Sequence, residues 1–346
     1  MIKVLVVDDS AVVRKILTET LEQNDDIKVV GSAPDPYRAR DMILELKPDV
    51  LTLDIEMPKM DGLTFLSKLM VHFPMPVIIV SSLTRSSVEM SVKAMELGAV
   101  DVVSKPGSSF SVGDLKDILA DKIRAAGRAV VRKRKVAKNV SVRQVTGVNI
   151  ETTSKLVAIG ASTGGTEAIK EVLVRLPANF PGILIAQHMP PGFTRSLAER
   201  LNQECAMEVR EARNGDQVAF GRVLIAPGNY HMLLRRSGAK YIVRLTQGQR
   251  VHFQRPSVDV MFKSVAMNAG RNAIGVILTG MGADGAEGLM MMKKTGAYTI
   301  GQDERSSVVY GMPKKAYDIG AVSKQCSLEK IPELLVNILN RQDYHF

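Results

Sequence analysis

Leu156-Val157-Ala158-Ile159-Gly160-Ala161-Ser162-Thr163-Gly164-Gly165 is an apolar run that breaks into a glycine-flanked hydroxyl. The residues that follow, Thr166 to Leu176, carry Ile169, Val172, Leu173 and Leu176 at helical spacing. The unit reads as strand, sharp turn, helix. Such a unit lifts a serine hydroxyl above the end of a sheet and points helix N–H groups at whatever it meets. That suggests covalent chemistry at an acyl carbon. A glycine turn opening a helix also suits a phosphate, although the loop is neither G-x-G-x-x-G nor a Walker sequence.

The alternation continues outward from this turn. Strand patterns fall at 155–159, 182–187, 222–227, 241–245, 273–278 and 297–301, and helical patterns at 166–176, 193–203, 257–269, 284–294 and 328–340. They predict a doubly wound α/β domain with an antiparallel hairpin near 222–245. Residues 1–120 show the same alternation in five βα units, beginning with Ile2 to Val7 and ending with a helix over Leu115 to Ala125. Between the two, residues 126–153 lose apolar periodicity and turn basic, as a linker does. The expected organisation is 1–125, a linker over 126–153, and 154–346.

The net charge of +10 is uneven. Residues 1–120 carry −5, 121–155 carry +8 and 156–346 carry +7. The run Arg132-Lys133-Arg134-Lys135 is read as a solvated linker rather than a nucleic-acid contact, since aromatics are 5% of the chain and Trp is absent. No apolar run approaches the roughly 18 residues of a membrane span, and the N-terminus lacks signal-peptide order. Two distant cysteines, Cys205 and Cys326, argue for a reducing cytoplasm and against a disulfide framework or a cysteine zinc site. Met290-Met291-Met292 reads as helix packing.

In the N-terminal half, Asp8 and Asp9 end the first strand, Asp54 the third and Ser81 the fourth, and Lys105-Pro106 follows the fifth. Parallel strands bring these ends to one edge. Three carboxylates there repel one another unless a divalent cation binds, and Mg²⁺ suits such a hard-oxygen site. A lysine and a hydroxyl nearby would hold a phosphoryl group, with Asp54 the central candidate to carry it.

In the C-terminal half, Ser162, His188 and Asp284 each follow a strand pattern and can converge on one sheet edge. A serine hydroxyl needs an adjacent base. His188 is the natural one, with Asp284 to orient it. His231 and His252 are rival bases and Asp259 a rival acid. Backbone N–H groups at Thr163 and around Met281-Gly282 are candidates for an oxyanion hole. The order Ser, His, Asp disfavours the α/β-hydrolase fold, whose order is Ser, Asp, His.

Residues 1–120 resemble a two-component receiver domain. The segments around Ser162, Gln187-His188-Met-Pro, Ala226-Pro-Gly-Asn-Tyr-His231, Arg255-Pro-Ser-Val-Asp259 and Thr279-Gly-Met-Gly-Ala-Asp284-Gly together resemble the chemotaxis protein-glutamate methylesterases of the CheB family. The resemblance spans all but the linker. It implies a flavodoxin-like receiver followed by a Rossmann-like esterase domain, both parallel-sheet α/β. It also implies a Ser162–His188–Asp284 triad needing no cofactor, and phosphorylation of Asp54 by a histidine kinase. Mg²⁺ would be held by Asp9, Asp54, the Glu56 backbone carbonyl and, through water, Asp8, with Ser81 and Lys105 on the phosphoryl group. The implied substrates are glutamate methyl esters, and in some members glutamine amides, of methyl-accepting chemotaxis receptors, reached from the cytoplasm without membrane insertion. The implied control is an unphosphorylated receiver covering the esterase cleft. One position departs from the family: Val102, three before Lys105, stands where many receivers have a switching aromatic. The contrasting expectation is a receiver with a non-catalytic output domain that binds nucleic acid or an anion.

Overall fold

The structure is a computed structural model that describes residues 1–105, 112–131 and 154–340. The Arg132–Lys135 run, most of the expected linker and the tail Asp343–Phe346 lie outside the described residues. The chain divides into two compact units, Met1–Asn139 and Val140–Phe346.

In the first unit, strands β1 (Ile2–Val7), β2 (Ile27–Ala33), β3 (Val50–Leu53), β4 (Val77–Ser81) and β5 (Asp101–Ser104) alternate with helices α1 (Ala11–Leu21), α2 (Pro36–Leu46), α3 (Gly62–His72), α4 (Arg85–Glu96) and α5 (Val112–Gly127). The strands form a parallel sheet in the order β2-β1-β3-β4-β5. Val50–Leu53 and Val77–Ser81 are buried throughout, as strands covered on both faces must be. Helix starts are written in side chains: Ser10, Asp35, Asp61 and Thr84 each accept a main-chain N–H of the first turn.

The second unit runs β6 (Leu156–Ala161), α6 (Gly165–Leu173), β7 (Gly182–Gln187), α7 (Phe193–Glu204), β8 (Glu208–Glu211), β9 (Arg222–Ile225), β10 (His231–Ser237), β11 (Lys240–Thr246), α8 (Val258–Ala269), β12 (Ala273–Ile277), α9 (Ala286–Lys294), β13 (Tyr298–Gln302), α10 (Met312–Asp318), β14 (Lys324–Cys326) and α11 (Ile331–Asn340). Among the described residues, the sheet has the order β14-β13-β12-β6-β7-β9-β8, with every pair parallel. The hairpin lies further along than expected. Arg222–Ile225 joins the parallel sheet, and β10 pairs with β11 instead. β8, β10, β14 and α10 are not among the strands and helices expected from the sequence.

β6 is central and fully buried. Gly160 lets α8 lie directly on it, because a Cβ there would stand 2.2 Å from Val258 Cγ1. That close approach brings the N-terminus of α8 to the carboxyl edge of the sheet, where the candidate site is built.

Candidate active site

The pairing Ala161↔Gln187 puts the next residues, Ser162 and His188, opposite each other as β6 and β7 leave the sheet. His188 N–H donates to Ala161 O at 3.2 Å, so the adjacency holds past the last rung. Ser162 is 8% exposed. On the other flank, Ser162 N–H donates to Thr279 O at 3.0 Å, which ties the turn to the end of β12. The loop leaving β12 carries Asp284, whose Oδ2 lies 2.8 Å from His188 Nε2. The structure thus brings Ser162, His188 and Asp284 to one buried edge.

Asp284 is saturated with donors. Oδ2 also accepts Val258 N–H at 2.7 Å, and Oδ1 accepts Ser257 Oγ at 2.8 Å and Asp259 N–H at 3.0 Å. These groups form the first turn of α8, where orphan N–H groups and the helix dipole favour an anion. Burial pushes the Asp284 pKa up. The hydrogen bond and charge of His188, with the donors at the start of α8, outweigh it and hold the carboxyl at about 2.

The rival histidines are engaged elsewhere. His231 accepts Ser257 N–H at Nδ1 and meets Gln249 O through Nε2 at 2.8 Å, so both ring nitrogens serve the main chain. Burial lowers its pKa, which favours the neutral ring. His252, 45% exposed, pairs with Asp259 at 3.2 Å. Asp259 also accepts Gly288 N–H at 2.7 Å and joins α8 to α9. His252, Asp259 and Asp284 gather as a metal site would. The lone pairs of Asp284, however, are already spent on four donors.

The glycines after Ser162 make room for protein atoms. A Cβ on Gly164 would stand 2.6 Å from Val308, and one on Gly165 would stand 2.1 Å from Gln187 Oε1. Of the expected oxyanion donors, Met281 and Gly282 donate no main-chain hydrogen bond among the described residues. Met281 is half-buried and Gly282 exposed, so a bound carbonyl can reach them. Thr163 O accepts Thr279 Oγ1 at 3.0 Å, which fixes the peptide that follows Thr163.

On the first unit, Asp8, Asp9 and Asp54 offer carboxylate oxygens within 4.8 Å of one another. Lys105 Nζ lies 2.8 Å from both Asp8 Oδ2 and Asp54 Oδ2. Among the described residues, neither of these buried oxygens has a hydrogen bond of good geometry. Burial is the main cause that raises the Asp54 pKa. The nearby Asp8 charge adds to it, against the pull of Lys105. Burial works to lower the Lys105 pKa, but the two aspartates override it and raise it. Ser81, at the end of β4, is buried and turns its Oγ toward Ser87 O at 3.3 Å. The Glu56 side chain accepts Ser87 Oγ at 2.6 Å. Under-satisfied buried oxygens in a three-carboxylate pocket fit a divalent cation and a phosphoryl group.

One unit with a receiver's acidic pocket and another with the parts of a serine hydrolase place the chain among hydrolases joined to a response-regulator receiver. Comparison with known proteins agrees. Residues 4–118 match the response regulator receiver domain, and residues 157–335 match the CheB methylesterase family. The chain belongs to the CheB methylesterase family and carries a receiver domain. The chain is 60% identical to the protein-glutamate methylesterase/protein-glutamine glutaminase 2 of Syntrophus aciditrophicus, over 98% of this chain and 99% of that one. It is 54% identical to a protein of the same activity name from Methylobacillus flagellatus, over 98% of this chain and 97% of that one. The crystal structure of the Thermotoga maritima CheB methylesterase catalytic domain covers 54% of this chain and all of its own at a TM-score of 0.53 and 39% identity. These findings favour the methylesterase over a non-catalytic output domain. Among the described residues, no helix is long and apolar enough to cross a membrane.

Proposed function

We propose that this chain hydrolyses glutamate γ-methyl esters on the cytoplasmic helices of methyl-accepting chemotaxis receptors. Ser162 is the nucleophile, His188 the general base and Asp284 its orienter. The observation that carries the reading is the His188–Asp284 hydrogen bond at a sheet edge where His188 stands opposite Ser162. With Nε2 engaged by Asp284, Nδ1 is the ring nitrogen left to take the serine proton. Oγ then attacks the ester carbon. The developing oxyanion faces the N–H groups of Thr163, Met281 and Gly282. Collapse expels methoxide, which takes the proton back from the imidazolium and leaves as methanol. Water, deprotonated by His188, attacks the acyl-enzyme, and glutamate is released with Ser162 restored. A glutamine side chain entering the same way releases ammonia instead.

Asp54 is the phosphorylation site, supplied by a histidine kinase. Mg²⁺ on Asp8, Asp9, Asp54 and the Glu56 carbonyl would neutralise charge as the phosphoryl group transfers. Lys105 moves from the carboxylates to the phosphoryl oxygens, and Ser81 Oγ contacts them as well. Residues 1–125 form the receiver, 126–153 a linker and 154–346 the catalytic domain. Phosphorylation of Asp54 raises esterase activity. The test is methanol release from methylated receptor, with and without a small-molecule phosphodonor. Ser162→Ala abolishes release in both conditions, and Asp54→Asn retains basal release but no longer responds. Full activity in Ser162→Ala would sink the assignment.

A further inference from the structure

Ser162 is held by its main chain from both sides of β6, and a buried glutamine stands on each side. Gln187, the last residue of β7, is 2% exposed. Its Nε2 donates to Ser162 O at 2.9 Å and to His188 O at 3.4 Å. One side chain therefore bridges the carbonyls of the serine and the histidine. Gln302, the last residue of β13, is 0% exposed. Its Oε1 accepts Thr279 N–H at 2.7 Å, and Thr279 O accepts Ser162 N–H at 3.0 Å. Thr279 Oγ1 reaches Thr163 O at 3.0 Å. The peptide groups on either side of Ser162 are thus fixed through two amides, Gln187 on the adjacent β7 and Gln302 on β13, beyond β12.

Stability alone does not account for Gln187. Its Oε1 is buried with no hydrogen-bond partner among the described residues. A buried acceptor left unpaired is unfavourable, and an apolar side chain of similar length would avoid it. Turning the amide over would set oxygen against the two carbonyls, so Nε2 must face them. Gly165 is part of the same arrangement, since any Cβ there would collide with Oε1 at 2.1 Å. The chain tolerates an unpaired oxygen and a helix-start glycine to keep one N–H₂ group on Ser162 O and His188 O.

Building on the reading of Ser162 as nucleophile, we propose that Gln187 and Gln302 are positioning residues that hold its backbone, and hence its Oγ, in line with His188. Neither touches substrate. An ångström of misplacement at a nucleophile costs about 100-fold in rate. The readouts are methanol release from methylated receptor and inactivation by a fluorophosphonate, on the full chain with phosphodonor and Mg²⁺. In Gln187→Met, kcat falls about 30- to 100-fold with KM within twofold, because receptor docking is untouched. The inactivation rate, which needs an aligned serine but no receptor, falls in parallel. Gln302→Met, one peptide further away, loses about 10-fold. The double variant loses less than the product of the two, because both act on one serine. Circular dichroism and melting at the assay temperature give the folded fraction, by which rates are corrected. The inference is overturned if corrected kcat in both single variants stays within threefold of the parent, or if the loss lies in KM alone. Ser162→Ala, run beside them, separates the two claims. Residual full activity there removes the nucleophile itself, whereas a dead Ser162→Ala with fully active glutamine variants removes only the positioning role.

Discussion

Replacing Asp284 by asparagine tests the electrostatics of the cluster with the least change in shape. Each carboxylate oxygen accepts two hydrogen bonds, Oδ2 from His188 Nε2 and Val258 N–H, Oδ1 from Ser257 Oγ and Asp259 N–H. Asparagine offers one acceptor oxygen and one NH₂. Turned toward His188, the NH₂ meets the fixed N–H of Val258 and imposes the other tautomer on the ring. Turned toward Ser257, it meets a hydroxyl that can rotate to accept, and only Asp259 N–H loses its partner. The second orientation costs less, so the variant keeps the bond to His188 and the tautomer. One orphaned buried N–H costs about 2 kcal/mol, which lowers the melting temperature of the catalytic unit by roughly 4–8 °C. The larger loss is catalytic. The imidazolium formed during attack no longer has a counter-anion, a term of about 4 kcal/mol at 4 Å and an effective dielectric of 20. That corresponds to roughly 1000-fold in kcat, short of the roughly 10,000-fold of a wrong tautomer. Methanol release at saturating receptor and a thermal melt measure both. A loss below tenfold refutes the role of Asp284. A loss of 10,000-fold, with ring ¹⁵N signals showing the opposite tautomer, refutes the orientation argument.

Further expectations rest on other buried charges. Lys105→Met leaves Asp8 and Asp54 without their shared cation and costs about 3 kcal/mol. The receiver then melts roughly 10 °C lower, and millimolar Mg²⁺ restores more of the loss in the variant than it adds to the parent. An unaltered melt refutes the pocket's electrostatics. Asp259 behaves oppositely to Asp284. Burial, partly offset by Gly288 N–H, raises its pKa. Its favourable contribution is therefore complete below about pH 4 and lost as pH rises through the raised value. Asp259→Asn keeps the oxygen on Gly288 N–H and turns its NH₂ to His252, so at pH 7 it melts no lower than the parent; a drop above 4 °C contradicts this. His252→Ala retains kcat within threefold, because His252 pairs with Asp259 and not with Asp284; a hundredfold loss would reinstate it as the base.

The sequence made the parallel sheets legible because strands covered on both faces are nearly continuous apolar runs, as in Leu156–Ala161 and Gly182–Gln187. It hid β8, Glu208–Glu211, and β14, Lys324–Cys326, for the same reason in reverse. These are short strands at the sheet edges with charged or half-exposed side chains, and they carry no such run. The misplaced hairpin has a similar origin: His231–Ser237 ends in Arg235 and Arg236, which blur its alternation, while Arg222–Ile225 is apolar enough to read as either kind of strand. Ser162, His188 and Asp284 stood out because each interrupts or follows an apolar strand. The choice among three histidines did not, because it depends on contacts from distant segments: Gln249 O and Ser257 N–H on His231, Asp259 on His252. Gln187 enters the sequence reading only as part of Gln187-His188-Met-Pro, and Gln302 gives no signal beyond its place at a strand end.

The two buried aspartates with the sharpest roles show why such contacts matter more than burial. Asp54 and Asp284 are both about 2% exposed, yet the pKa of one is raised and that of the other held at about 2. Burial acts on both in the same direction. The difference is the number of donors. Among the described residues, Asp54 has one long main-chain contact, Glu56 N–H at 3.4 Å, a lysine shared with Asp8, and a like charge beside it. Asp284 has four donors, one of them His188 Nε2. A carboxylate that must accept a phosphoryl group needs an open oxygen, and leaving it under-satisfied keeps that oxygen available. A carboxylate that must hold an imidazole through a catalytic cycle needs the reverse: every lone pair occupied, so that neither its charge nor its orientation changes when the ring takes a proton. On the proposed roles, the same residue type, equally buried, is set as an acceptor in one unit and as an orienter in the other by the N–H groups that surround it.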